Sequence, residues 1–184
     1  MRSFFDIRPA IGECPAEHQG YIDELPEGNI LDLLKLQSEE FRQRLARLSD
    51  ADASYRYAPG KWSIKELVGH ICDGERIFGY RALCIARGDE GPFPPFDENM
   101  YVERSRFHQR SFADLTTEFG LVRKLSYSFF SSLDEEEWNR RGIANNHVYT
   151  VRAIAHIVAG HVTHHLKIID SRYLPGLSAS GGGQ

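Results

Sequence analysis

Four stretches of this chain repeat apolar residues at intervals of three and four, and no window alternates apolar and polar residues convincingly as a half-buried strand would. A chain patterned in this way buries its apolar surface by packing helical stripes together, so the expected fold is all-α. The first helix is expected over about 27–48. Ile30, Leu33, Leu34, Phe41, Leu45 and Leu48 share its face, and Gln37 is the polar member of that stripe. The second follows the Pro59-Gly60 break and runs to about Arg87. Ser63, with Glu66 three residues later, gives it a capping-box signature, and Ile64, Leu67, Val68, Ile71, Phe78, Ala82 and Ile85 form its stripe. The third runs from the Ser111 cap to about Leu133, and the fourth from Thr150 to about Tyr173, where Pro175 is expected to end it.

These elements predict a four-helix bundle with long inter-helix loops. Residues before about Leu25 read as an extended arm or a short helix lying on the body. Residues 88–110 form a long connection rich in Pro and Phe, the kind of segment that packs as a lid. Residues 134–148 read as a polar loop with room for a short helix around Glu135–Asn139. A single domain is expected over 1–174, with 175–184 (ending in SASGGGQ) as a flexible tail.

Composition narrows the function classes. The net charge of -4 lacks the basic excess of a general nucleic-acid binder, and no apolar run is long enough to span a membrane. No secretory leader is read at the N-terminus, and three cysteines without a CxxC pair do not form a disulfide framework. A cytoplasmic protein without a nucleic-acid or membrane partner is expected.

The chain has eight histidines, five of them between His147 and His165. Residues four apart differ by about 40° around a helix axis, so His161 and His165 share one face. That face is also the apolar one, with Ile154, Val158 and Ile168. Two imidazoles directed into a bundle need polar partners, and a zinc-like cation is one. His164 falls about 60° to one side of His161 and is expected beside the ligands or facing the pocket. His156 falls at about 220° and is excluded. A third ligand must come from another helix. His70 lies at the seam of the second helix, and Gly74 one turn on clears space beside it; a lone histidine there is also what a hydrogen-bonded core residue looks like. The sequence lacks the HExxH glutamate, which counts against the zinc-protease mechanism. Glu75, on the apolar side of the second helix, is the candidate catalytic carboxylate, with pairing to an arginine as the alternative. Arg81 shares the His70 stripe and is expected at the pocket. Trp62 is expected to pack at the helix start, and Cys72 to fill the core.

Residues 57–89, YAPGKWSIKELVGHICDGERIFGYRALCIARGD, residues 96–102, FDENMYV, and residues 149–174, YTVRAIAHIVAGHVTHHLKIIDSRYL, together resemble the DinB-like, or YfiT-like, superfamily of metal-dependent enzymes. The Lys-Trp-Ser-then-His pattern and the terminal HxxHH are its specific parts. The resemblance implies a divalent ion, zinc or nickel, held by His70, His161 and His165, and in many relatives a homodimer. It implies a metal-dependent enzyme acting on a small-molecule substrate, with hydrolase as the class label. Three histidines leave coordination positions open, which is the catalytic pattern. The alternatives are an S-transferase or isomerase using a low-molecular-weight thiol, and a non-enzymatic, stress-related bundle that only binds metal.

Overall fold

The computed structural model describes residues 3–180. A short helix, α1 (Ala16–Asp23), precedes α2 (Ile30–Leu45), whose N-terminus is capped by the Asn29 side chain accepting from the N–H groups of Leu31 and Asp32. After the four-residue α3 (Asp50–Ala53) comes α4 (Ile64–Ala86), which opens on the expected capping box. Ser63 Oγ accepts from the Glu66 N–H, and the Glu66 carboxylate accepts from the Ser63 N–H. α5 (Glu98–Arg104) lies within the long connection. α6 (Phe112–Ser131) is capped by Ser111, and α7 (Glu135–Asn139) is the short helix for which the polar loop left room. α8 (Val151–Ile168) is capped by Thr150.

The fold is helical, and α2, α4, α6 and α8 form its bundle. α2 and α4 each pack on both α6 and α8, so helices that follow one another, α2 then α4 and α6 then α8, stand diagonally across the bundle. The core has two apolar clusters. α2 and α8 run from the first, with Leu34 and Ile154, to the second, with Phe41 and Leu166. α4 and α6 run the other way, from Ile71 and Phe119 to Phe78 and Phe130. The order is therefore up-down-down-up. Because α4 and α6 are parallel, the chain must return along a helix of about 34 Å before α6 can begin. That return explains the length of the 88–110 connection.

Two sequence expectations need correction. The polar loop also contains two strands, β1 (Arg141–Ala144) and β2 (His147–Thr150), paired antiparallel from Arg141↔Thr150 to Ala144↔His147. Asn145 and Asn146, at φ 48° and 61°, make the two-residue turn, a conformation asparagine tolerates and the type I′ hairpin requires. Four-residue strands are too short to show alternation. Their role is to clasp the long connection. Phe93 N–H donates to Ile143 O at 2.8 Å, and Asn145 N–H donates to Phe93 O at 3.0 Å.

Secondly, the fourth helix does not stop at Pro175. It passes through a π-helical segment, Ile169–Tyr173, into α9 (Leu174–Ser180). Pro175 follows the π-helical segment directly, where the Leu174 N–H donates five residues back to Ile169 O, so the i→i−4 ladder that a proline breaks is already interrupted. Leu174 and Leu177 pack on the second core cluster, so the tail is ordered at least that far; the remainder, 181–184, lies outside the described residues. The N-terminal arm takes the second of its two expected forms, a short helix lying on the body: α1 packs along α8. No helix among the described residues is long and apolar enough to cross a membrane.

Candidate metal centre

Between the two apolar clusters each bundle helix contributes buried polar side chains: Gln37 from α2, Glu75 from α4, Arg123 and Ser126 from α6, and His161 from α8. His161 and His165 lie one turn apart on the buried face of α8, and His70 comes from α4. All three are 7% exposed. The Nε2 atoms of His70 and His161 are 3.0 Å apart, and those of His165 and His161 are 2.9 Å apart. The three rings offer ligand atoms all within 4.8 Å of one another, and no carboxylate or thiol among the described residues joins them.

The donor set fits a divalent cation. A neutral imidazole carries one N–H and one lone pair, so three Nε2 atoms turned toward one another can share only a few protons. A cation would take all three lone pairs. Two nitrogens each about 2.1 Å from one ion, at angles between right and tetrahedral, lie roughly 3.0–3.4 Å apart, close to the separations seen. Burial keeps the rings neutral. It pushes the His70 pKa down to about 4. It pulls His161 and His165 well below the usual histidine value, with neighbouring histidines adding to the effect. Among the described residues, Nδ1 of His165 is buried with no hydrogen-bond partner, and the ring's hydrogen-bonding contact is to His161 in the cluster.

Two glycines admit this arrangement. A Cβ at Gly74 would lie 3.1 Å from His161 Cε1, so the gap one turn beyond His70 receives the ring of His161 rather than that of His70. A Cβ at Gly160 would lie 2.2 Å from the Tyr21 carbonyl oxygen. Glycine there lets α1 lie against α8 and sets the Tyr21 ring edge-on to His161, with centroids 5.6 Å apart.

The cluster forms part of the wall of a cavity of about 470 Å³. Trp62 lines it, 4.8 Å from the His70 ring, so this side chain packs at the site and not merely at the helix start; its carbonyl accepts from the Tyr173 hydroxyl at 2.7 Å. Arg81 also lines the cavity, with Nη2 donating to Pro94 O at 2.6 Å. His164 sits outside that lining. It is partly exposed, beside Tyr21 and His165, with Nδ1 3.8 Å from Glu24 Oε1. Glu75 is also absent from the lining: its carboxylate is held by Arg123, the arginine-paired alternative, which leaves it occupied as a structural partner. Glu98 reaches the mouth, while Asp97 caps α5. Cys72 is wholly buried, and burial pushes its thiol pKa far up, away from nucleophilic use.

The sequence pattern did not reveal several of the lining residues, among them His18, Tyr21 and Tyr149. His18 and Tyr21 come from α1, and Tyr149 from β2; Tyr149 Oη and His18 Nδ1 are 3.0 Å apart. The signal for α1 lay elsewhere in the chain, in Gly160 on the buried face of α8, which implies close approach of another backbone.

The family profile described as the DinB superfamily matches residues 33–169. A protein of Oceanobacillus iheyensis, by its name a candidate metal-dependent hydrolase, is 29% identical over 98 residues, or 53% of this chain and 55% of its own; the chain spans about half the length of that curated relative. YfiT from Bacillus subtilis, described as a probable metal-dependent hydrolase with an unusual four-helix bundle topology, superposes with a TM-score of 0.72 at 14% identity, over 97% of this chain and 95% of its own. A mycothiol-dependent maleylpyruvate isomerase superposes with a TM-score of 0.63 at 13% identity, over 79% of this chain and 61% of its own. At these identities the likeness establishes the fold.

Proposed function

The chain belongs to the DinB superfamily, and on that premise we propose that it is a metal-dependent enzyme, a hydrolase of a small molecule, with His70, His161 and His165 as the ligands of zinc or nickel. The observation that carries this reading is the convergence of three neutral Nε2 atoms on the wall of an open cavity. A structural ion would call for a closed set of four protein ligands; neither His164 nor Glu75, the two candidates for closing it, joins the group.

A bound divalent ion supplies Lewis acidity, polarising a substrate oxygen and favouring a water nucleophile at neutral pH. The chain supplies the rest. Burial holds the imidazoles neutral and ready to ligate. Trp62, Tyr21, Phe78 and Phe96 narrow the pocket and exclude bulk water from its apolar sides. His18, hydrogen-bonded to Tyr149, offers an imidazole for proton transfer, and its pKa is lowered chiefly by burial.

A second reading is transfer or isomerisation with a low-molecular-weight thiol. The likeness to a mycothiol-dependent enzyme supports it, as does a ligand set that leaves the ion's double charge uncompensated and open to a thiolate. The proposal also includes a cytoplasmic setting, which the three free cysteines support, and a homodimer, which Leu121 and Leu125, exposed one turn apart on α6, support. Elemental analysis of the purified chain, followed by ester and amide hydrolysis assays with and without small thiols, tests the function. Absence of metal after expression with zinc and nickel supplied would overturn it. Turnover only with thiol would favour the second reading.

A further inference from the structure

Arg81 is only 5% exposed, yet among the described residues no carboxylate pairs with it. The other deeply buried arginine, Arg123, is matched by Glu75, and the partly buried Arg152 is matched by Glu13. A guanidinium has five N–H donors, and one hydrogen bond, to Pro94 O, is made here. Its remaining neighbours include the rings of Phe78 and Phe96, with the guanidinium carbon 5.7 and 5.9 Å from their centroids. A buried charge without a counter-ion is costly, so a protein that keeps one in a cavity has a use for it. Arg81 lines the same cavity as the three histidines.

We propose that this pocket selects a substrate bearing one carboxylate, which Arg81 binds while the rest of the molecule faces the histidine cluster. The fate of that remaining part rests on the metal-dependent reading above; the anion site does not. Planar, two-pronged donation matches a carboxylate. Phosphate shares this recognition chemistry, but Glu17 and Glu98, both exposed, stand on the cavity lining and oppose a dianion. The aromatic lining suits an apolar body. The competing role for Arg81 is purely structural, as a clamp on the long connection through Pro94.

Benzoate, its neutral isostere benzamide, and phenyl phosphate separate these roles when titrated calorimetrically into the zinc-supplemented protein. Benzoate should bind tighter than both, by roughly tenfold or more over benzamide, and Arg81→Gln should abolish that preference. Arg81→Lys should keep part of it; should Arg81→Gln fail to fold, this variant decides, by weakening benzoate while leaving benzamide unchanged. Equal binding of benzoate and benzamide, no saturable benzoate binding, or an unaltered preference in Arg81→Gln would overturn the assignment and leave the clamp. Tighter binding of phenyl phosphate would overturn the carboxylate class. The same titration in His161→Ala tells the two readings apart. A preference that survives there and depends on Arg81 upholds the anion site even if the metal reading fails. A preference lost there but intact in Arg81→Gln assigns the carboxylate to the ion and overturns the role of Arg81.

Discussion

The Glu75 carboxylate accepts from Arg123 Nε at 2.9 and 3.1 Å and from Nη2 at 3.0 Å, with both side chains 2% exposed. Arg123 Nη1 donates to Gln37 Oε1 at 2.8 Å, and Gln37 Nε2 donates to Ala159 O and Thr163 Oγ1 at 2.8 and 2.7 Å. One polar chain thus ties all four bundle helices together and ends on α8 on either side of His161. It holds that helix in the register that presents the histidines.

Breaking this pair from one side leaves an uncompensated buried charge. Glu75→Ala should therefore cost about 3–5 kcal/mol of stability, measured by urea unfolding. The folded fraction should still bind metal, because Glu75 is not a ligand. Loss of metal from protein shown to be folded would assign Glu75 to the centre after all.

His161→Ala and His165→Ala should each lose most bound metal while circular dichroism remains helical. Chelation should lower the melting temperature of the parent chain, since an ion bound only to the native state stabilises it. The check is metal content beside thermal melts. Unchanged content in both variants would contradict the ligand assignment.

Acid should destabilise the metal-free protein, and His156 should be part of the reason. It is buried away from the cluster, with Nδ1 2.9 Å from Arg152 O, and burial pushes its pKa down to about 4 from 6.5. The unfolded chain therefore binds the proton first. The stability from this neutral ring is complete above pH 6.5 and is lost as pH falls toward 4, by roughly 3 kcal/mol. Unfolding free energies measured from pH 7 to 4 should show a shallower decline in His156→Gln than in the parent; parallel curves would refute the effect.

Gly160→Ala should push α1 off α8, because the new Cβ meets backbone at 2.2 Å, which a side-chain rotation cannot relieve. A loss of about 1–3 kcal/mol is expected. Faster hydrogen exchange should appear across 16–23. Gly74→Ala, whose Cβ meets only the edge of the His161 ring at 3.1 Å, should weaken metal binding more than it lowers stability. Equal behaviour of the two variants in both measurements would show that the glycines do not divide the work in this way.

The periodicity of the apolar residues was enough to locate the bundle helices, because a stripe at helical spacing has only one face to bury. The i,i+4 spacing of His161 and His165 was legible for the same reason: one helix fixes their relation without help from any other segment. How far Arg81 and Trp62 reach into a common cavity, whether Glu75 meets a substrate or Arg123, and what roofs His161 depend on residues tens of positions apart. His18 and Tyr149 are 131 positions apart, and no local pattern links them. Local chain geometry, set by backbone sterics and the burial of one face, could be read from the chain itself. Which helices stand diagonal, what lies across the pocket, and where a buried charge finds its partner emerged only when packing brought distant segments together.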